Sequence, residues 1–146
     1  MELRPLDSSH YDLLRSLEEQ EDVWASIGPL PLPDERDTHL FAVVEAGVPI
    51  GVGGLVPSRA LGTREFEVFC ALRSEAQARG LATQACQLIL NWAFANTRLE
   101  RVFACIDDEN EGAKSVAGKL GMTTSQPLPP RRTAWVKARP QPSRPG

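Results

Sequence analysis

The sequence predicts an α/β fold: a mixed, mostly antiparallel central sheet that contains one parallel strand–helix–strand unit. Two apolar runs, LFAVVEA (40–46) and IGVGGLV (50–56), flank a Gly47–Val48–Pro49 turn and read as a hairpin. Residues 64–107 read strand, turn, helix, strand, a unit that crosses over right-handed between parallel neighbours. Within that unit the apolar pattern changes from strand-like over 65–72 to a helical period over 81–96.

Each element follows in order. Residues 2–6 (ELRPL) make a short first strand. Ser8 or Ser9 caps a helix through about Glu19, with Tyr11, Leu14 and Leu17 on one stripe. The stretch VWASIGPLPLPDERD holds three prolines and reads as a long loop or broken helix. In the hairpin, Gly51, Gly53 and Gly54 weaken the second strand but permit close packing. In EFEVFCAL (65–72), Glu65, Glu67, Phe69 and Ala71 face one side; Phe66, Val68, Cys70 and Leu72 face the other. Leu81, Ala85, Leu88, Ile89 and Trp92 then recur at helical spacing across 81–96. RVFACI (101–106) is a strand. Ala113, Val116, Ala117 and Leu120 stripe a further helix that stops at Gly121. RTAWVKA (132–138) is the last strand. The intervening TTSQPLPPRR is short and proline-rich, which points to a reduced final hairpin with an exposed edge. Residues 1–139 make a single domain and 140–146 a flexible tail.

The bulk numbers exclude several classes. A chain of 146 residues suits one domain with a real core. With 16 basic against 19 acidic residues there is no concentrated basic face for nucleic acid. Three cysteines (Cys70, Cys86, Cys105) without a C-x-x-C pair, and two histidines, argue against a zinc site and suit reduced thiols in a cytoplasmic protein. The start MELRPLDSSH lacks a signal-peptide pattern, and no apolar run approaches a membrane span.

The stretch QARGLATQAC (77–86) places Gly80 just before the clearest helix. One reading is a plain turn, because glycine tolerates unusual backbone angles. The other is an anion cradle, in which free backbone N–H groups at a helix N-terminus hold phosphate.

LRSEAQARGLATQAC resembles motif A of the GNAT superfamily of acetyl-CoA-dependent N-acetyltransferases, Q/R-x-x-G-x-G/A, matched by Gln77, Gly80 and Ala82. EVFCAL resembles that family's fourth strand, and RVFACIDDENEGAKSVAGKLGM its fifth strand and fourth helix. The resemblance covers residues 2–122 and has a flavour of the ribosomal-protein alanine acetyltransferases. It implies that the sheet's parallel unit binds acetyl-CoA. The amides of Ala78, Arg79, Gly80, Leu81, Ala82 and Thr83 would cradle the pyrophosphate, with Gly80 permitting the approach. Arg73 and Arg79 would add charge near the phosphates. The Leu72 amide would polarise the thioester carbonyl, and an amine would attack directly.

The resemblance also implies an acid–base set. Glu67 would take the proton of the attacking amine; its structural alternative is a solvent-facing strand residue, and Glu65 is the substitute on the same face. Asn110 would contact pantetheine or a bound water, or else simply cap a helix; Ala113 fits the small residue three positions on. The chain departs from the pattern at Ala117, where many members carry a Tyr that protonates the leaving thiolate. Tyr11, its one tyrosine, lies in the first helix. Cys70 and Cys105 are possible substitutes, although buried cysteines are usually inert. Trp24 either lines a substrate pocket or packs on the hairpin, His39 either touches substrate or is structural, Trp92 belongs to the core, and Trp135 has no assignment.

The function implied is transfer of acetyl from acetyl-CoA to a primary amine, on a small molecule or a protein N-terminus, by a monomer or homodimer without a metal. Glu65, Glu67 and Glu45 would suit a cationic acceptor. The rival readings are a CoA-binding module without turnover and an interaction domain with no CoA site.

Overall fold

The computed structural model describes residues 1–18 and 37–141. Residues 19–36, among them Trp24 and the stretch expected to be a loop, and the last five residues lie outside the described residues, as do the side chains of Tyr11, Leu14, Ser16, Glu18 and Ala78. The elements are β1 (Glu2–Pro5), α1 (Tyr11–Glu18), β2 (His39–Glu45), β3 (Val48–Ser58), β4 (Glu65–Leu72), α2 (Ser74–Ala78), α3 (Ala82–Asn96), β5 (Arg101–Asp107), α4 (Glu111–Lys119), β6 (Thr123–Leu128) and β7 (Arg132–Ala138). Among the described residues the strands form one sheet in the order β1-β2-β3-β4-β5-β7-β6. Every neighbouring pair is antiparallel except β4 and β5. The mixed α/β fold with one parallel pair is therefore as the sequence predicts.

The alternation in β4 sorts its side chains as expected. Val68, Cys70 and Leu72 join a core with Ala85, Cys86, Ile89 and Leu90 of α3 and Ala113 and Ala117 of α4. Phe69 and Ala71 face the opposite side, where Leu13 and Leu17 of α1 cover Ala42, Val44, Val52 and Val56. Two apolar sheet faces, each needing cover, thus give three layers.

Four details differ from the sequence reading. The first hairpin turns at Ala46–Gly47, both at positive φ (50° and 78°), and Val48 and Pro49 already pair with Glu45 and Val44. That tight turn matches the twist of the flanking strands. Before α1, Ser8–His10 form a 3-10 turn rather than a single helical cap. The glycine motif follows a separate five-residue helix, α2, so α3 begins at Ala82. Finally, TTSQPL forms a full edge strand, β6, paired along β7. Its pattern is exposed almost throughout, so no apolar alternation marks it. Pairing to β7 is what makes it a strand.

Aromatic packing settles two side chains. His39 stacks between Trp92 (ring centroids 5.0 Å apart) and Phe66 (6.4 Å), a structural role; Trp92 also meets Phe41 edge-on at 4.9 Å. Trp135 packs half-buried against the α3–α4 core, and its indole N–H finds no acceptor among the described residues.

Candidate active site

Strands β4 and β5 share a single paired position, Glu67 opposite Phe103. Beyond it, towards their carboxyl ends, the strands pair no further, and a crevice opens on that edge of β4. Such carboxyl-end crevices are where ligands favour open α/β sheets. The Arg73 amide donates to Ile50 of β3 at 2.8 Å. Backbone groups of successive strand residues point to opposite edges. Leu72 therefore turns its N–H towards the crevice, and its carbonyl on the same edge accepts Gln77 Nε2 at 2.8 Å. The β3–β4 register runs without a bulge from Gly51–Leu72 to Ser58–Glu65. The same alternation therefore turns the Cys70 N–H to the crevice as well, a donor missed in the sequence reading although the period of two contains it.

The glycine motif forms the floor of a second opening. Gly80 sits at φ +70°, and a Cβ there would meet nothing within 4 Å, so the space beside it is open. The amides of Arg79, Gly80 and Leu81 are already engaged by the carbonyls of Ala76 and Gln77. This narrows the expected cradle. Among the described residues, the amides left without a backbone partner at the start of α3 are those of Ala82, Thr83 and Gln84, and no side chain caps the helix. These N–H groups and the helix dipole open onto a cavity of about 310 Å³ between α3 and α4, lined by Gln77, Gly80, Ala82, Thr83, Asn110 and Lys119 among others. Lys119 and Ser115, one helical turn apart on α4, also line it and were not foreseen. Their four-residue spacing on the face away from Ala113 and Ala117 is the signal that could have found them.

Asn110 Oδ1 accepts the Ala113 amide at 3.0 Å, a helix cap that also borders this cavity. Asn110→Ala should lower the thermal midpoint by roughly 2–4 °C, since a lost cap costs about 1 kcal/mol. Asn110→Asp, which keeps the acceptor, should hold it; thermal denaturation of both variants checks this.

Arg79, expected near the phosphates, is drawn to a carboxylate on β2. Its guanidinium grips Glu45 with two bonds of 2.9 and 3.0 Å. Arg73 is half-buried, and its Nε finds no acceptor among the described residues. Glu65 is likewise held by Arg101, at 2.6 and 2.7 Å, which keeps its carboxyl below the usual range. Two of the three carboxylates expected to meet a cationic acceptor are thus already neutralised.

Glu67 is the buried charged residue of the described core, 5% exposed, and not the solvent-facing strand residue of the alternative reading. The Cys105 amide donates to its Oε1 at 3.3 Å. Burial pushes its carboxyl up, while the Cys105 hydrogen bonds and the charge of Arg132 pull the other way. A carboxylate with a raised pKa is a better proton acceptor near neutral pH. Along an extended strand, Leu72 is about 16 Å from Glu67 and Cys70 about 10 Å, at ~3.3 Å per residue. Of the two crevice-facing amides, that of Cys70 is therefore the nearer to Glu67.

The thiols weighed against the missing Tyr are both made weaker acids by their surroundings. Contact with Cys86, with burial, pushes the Cys70 thiol far up, and burial beside Glu67 pushes Cys105 to about 12. A thiol that weakly acidic cannot readily protonate a thiolate whose own pKa is roughly 8.5. All three cysteines are free and buried. Ala117 is fully buried against the core. Among the described residues no group of three His, Cys, Asp or Glu is arranged to hold a metal, and no helix is long and apolar enough to cross a membrane.

Comparison with known proteins agrees with this fold. Residues 1–123 match the family model of the acetyltransferase (GNAT) domain. Similar solved structures include an acetyltransferase from Agrobacterium tumefaciens (21% identity, TM-score 0.71, 92% of this chain and 88% of that one). Spermidine N-acetyltransferase from Vibrio cholerae, in complex with CoA and spermine, is similar at 17% identity and TM-score 0.76 over 94% and 95% of the two chains. A GNAT-family acetyltransferase from Bacillus anthracis is similar at 18% identity and TM-score 0.71, over 94% and 93%. No curated protein matches the chain.

Proposed function

The chain belongs to the GNAT acetyltransferase family, whose members use acetyl-CoA, and from that premise we propose that it transfers acetyl to a primary amine by direct attack. The observation that carries this is the uncapped start of α3 opening onto the cavity beside Gly80. The Ala82, Thr83 and Gln84 amides suit a pyrophosphate, and Lys119 adds a cation. The amides of Cys70 and Leu72 hold the thioester carbonyl oxygen as it gains charge. Glu67 receives, through water, the proton the amine sheds as its C–N bond forms and the C–S bond breaks. With Ala117 in place of a phenol, water returns a proton to the departing thiolate. Three free, buried cysteines suit the reducing cytoplasm as its setting. The acceptor is a small-molecule amine or a protein N-terminus, as in the ribosomal-protein alanine acetyltransferases the sequence resembles.

The test is the thermal midpoint with and without acetyl-CoA, followed by CoA release on an amine panel. Ligand at about 100 times its Kd adds about 2.7 kcal/mol, a rise of roughly 5–10 °C for a chain this long. No rise would end the reading. A rise without turnover on any amine favours the second reading, a CoA-binding module, which Ala117 motivates.

A further inference from the structure

A cavity of about 470 Å³ lies at the carboxyl end of β5, lined by Cys105, Asp107, Leu128, Pro130, Arg131 and Arg132 among others. It adjoins Glu67: Cys105, in its wall, donates its amide to the Glu67 carboxyl, and the charge of Arg132 acts on both groups. Asp107, an acid in the lining, already accepts the Glu109 amide at 2.9 Å. No ion pair joins Arg131 or Arg132 to a carboxylate among the described residues. With two guanidinium groups against one carboxylate, the lining favours an anion over a polycation. Two of the carboxylates expected to meet a cationic acceptor are held, Glu65 by Arg101 and Glu45 by Arg79, while the cavity is lined by Asp107 and by two arginines that form no ion pair among the described residues.

We propose that this cavity holds the acceptor, and that the acceptor carries a carboxylate or phosphate group close to its amine. The inference rests on the acetyl-transfer reading for the identity of the ligand as an acceptor. Arg131 and Arg132 grip the anionic end, since guanidinium groups bind both oxyanions in a fork. That grip turns the amine end towards Glu67 and the open edge of β4. The arginines stand on the β6–β7 turn and the start of β7. The C-terminal hairpin therefore sets specificity, while α3 and α4 serve the cosubstrate.

The test uses four amines of similar length at matched ionic strength: β-alanine, aminoethylphosphonate, ethylenediamine and propylamine. CoA release should give kcat/KM about tenfold higher for at least one of the two anionic amines than for ethylenediamine or propylamine, a difference of ~1.4 kcal/mol. Comparing β-alanine with aminoethylphosphonate tells carboxylate from phosphate. Arg131→Gln with Arg132→Gln should erase the preference. Preference for ethylenediamine, or a preference that survives in the double variant, overturns the proposal. If no amine is turned over, the acetyl-transfer reading fails separately, and the cavity is read by binding. A midpoint rise of the CoA-saturated protein with either anionic amine, lost in the double variant, then sustains the anion site; no rise overturns it.

Discussion

Glu67→Gln should lower kcat about a hundredfold and, at neutral pH, raise the thermal midpoint. The rate loss is the lower end of what a placed general base contributes, roughly 10²–10⁴-fold. The stability gain follows from burial. Desolvation raises the Glu67 pKa above its ordinary 4.5, so the folded chain holds this proton more tightly than the unfolded chain. Below the unfolded value both states are protonated and the neutral carboxyl sits in the core without penalty. As pH rises through the higher folded value, an ionised carboxylate must stay buried, and that stabilising increment is lost. Glutamine keeps the acceptor for the Cys105 amide and does not titrate. The midpoint difference between variant and parent should therefore open from about pH 4.5 upward and level off above the folded pKa. The parent's kcat/KM should rise with pH over that same range, and the variant should lack the limb. Midpoints and rates measured from pH 4 to 9, roughly the range spanning a raised carboxyl, check both halves. An unchanged pH–rate profile would remove Glu67 from the mechanism, and a variant less stable at every pH would contradict the burial argument.

Gly54→Ala should cost about 4 kcal/mol, at the far end of what single substitutions do, and drop the midpoint by roughly 8–16 °C. Gly54 holds φ +155°, and a Cβ there would be driven into the backbone carbonyl of His39 on the neighbouring strand. Neither backbone can yield without breaking the β2–β3 ladder at Leu40–Gly54. Gly80→Ala is the informative contrast. Its φ of +70° costs about 1 kcal/mol for any side chain, but its Cβ meets nothing within 4 Å. That variant should fold with a small loss and shed most of the acetyl-CoA-induced rise, because its methyl group occupies the cavity. Thermal denaturation of both, with and without acetyl-CoA, separates a glycine needed for the sheet from one needed for the ligand. A Gly54→Ala midpoint within about 2 °C of the parent would show that the sheet relaxes around the extra atom.

Local chemistry made much of this legible. Alternation in EFEVFCAL sorts β4 onto its two faces because side chains on a strand point oppositely by geometry. The helical stripe led by Ala85 and Ile89, and the glycine before it, located α3 and its exposed N-terminus. Other features escaped such reading. TTSQPL has no alternation, since β6 is an exposed edge, and only hydrogen bonding to β7 makes it a strand. Among the described residues the amides without a backbone partner begin at Ala82, later than the motif suggests, because the Ala76 and Gln77 carbonyls of α2 take up the N–H groups before it.

The sequence by itself determined the class of fold, the parallel unit and the position of the glycine turn before α3, because each depends on neighbours within a few residues. Tertiary structure alone decided which charges are free. Arg101 reaches Glu65 across 36 residues and Arg79 reaches Glu45 across 34, while Arg131 and Arg132 form no ion pair among the described residues. It also decided that Glu67 is buried, because β5 and its Cys105 amide close over it from 38 residues away. A charge's worth is set by what surrounds it in space, and no local period in the chain records which distant partner will arrive there.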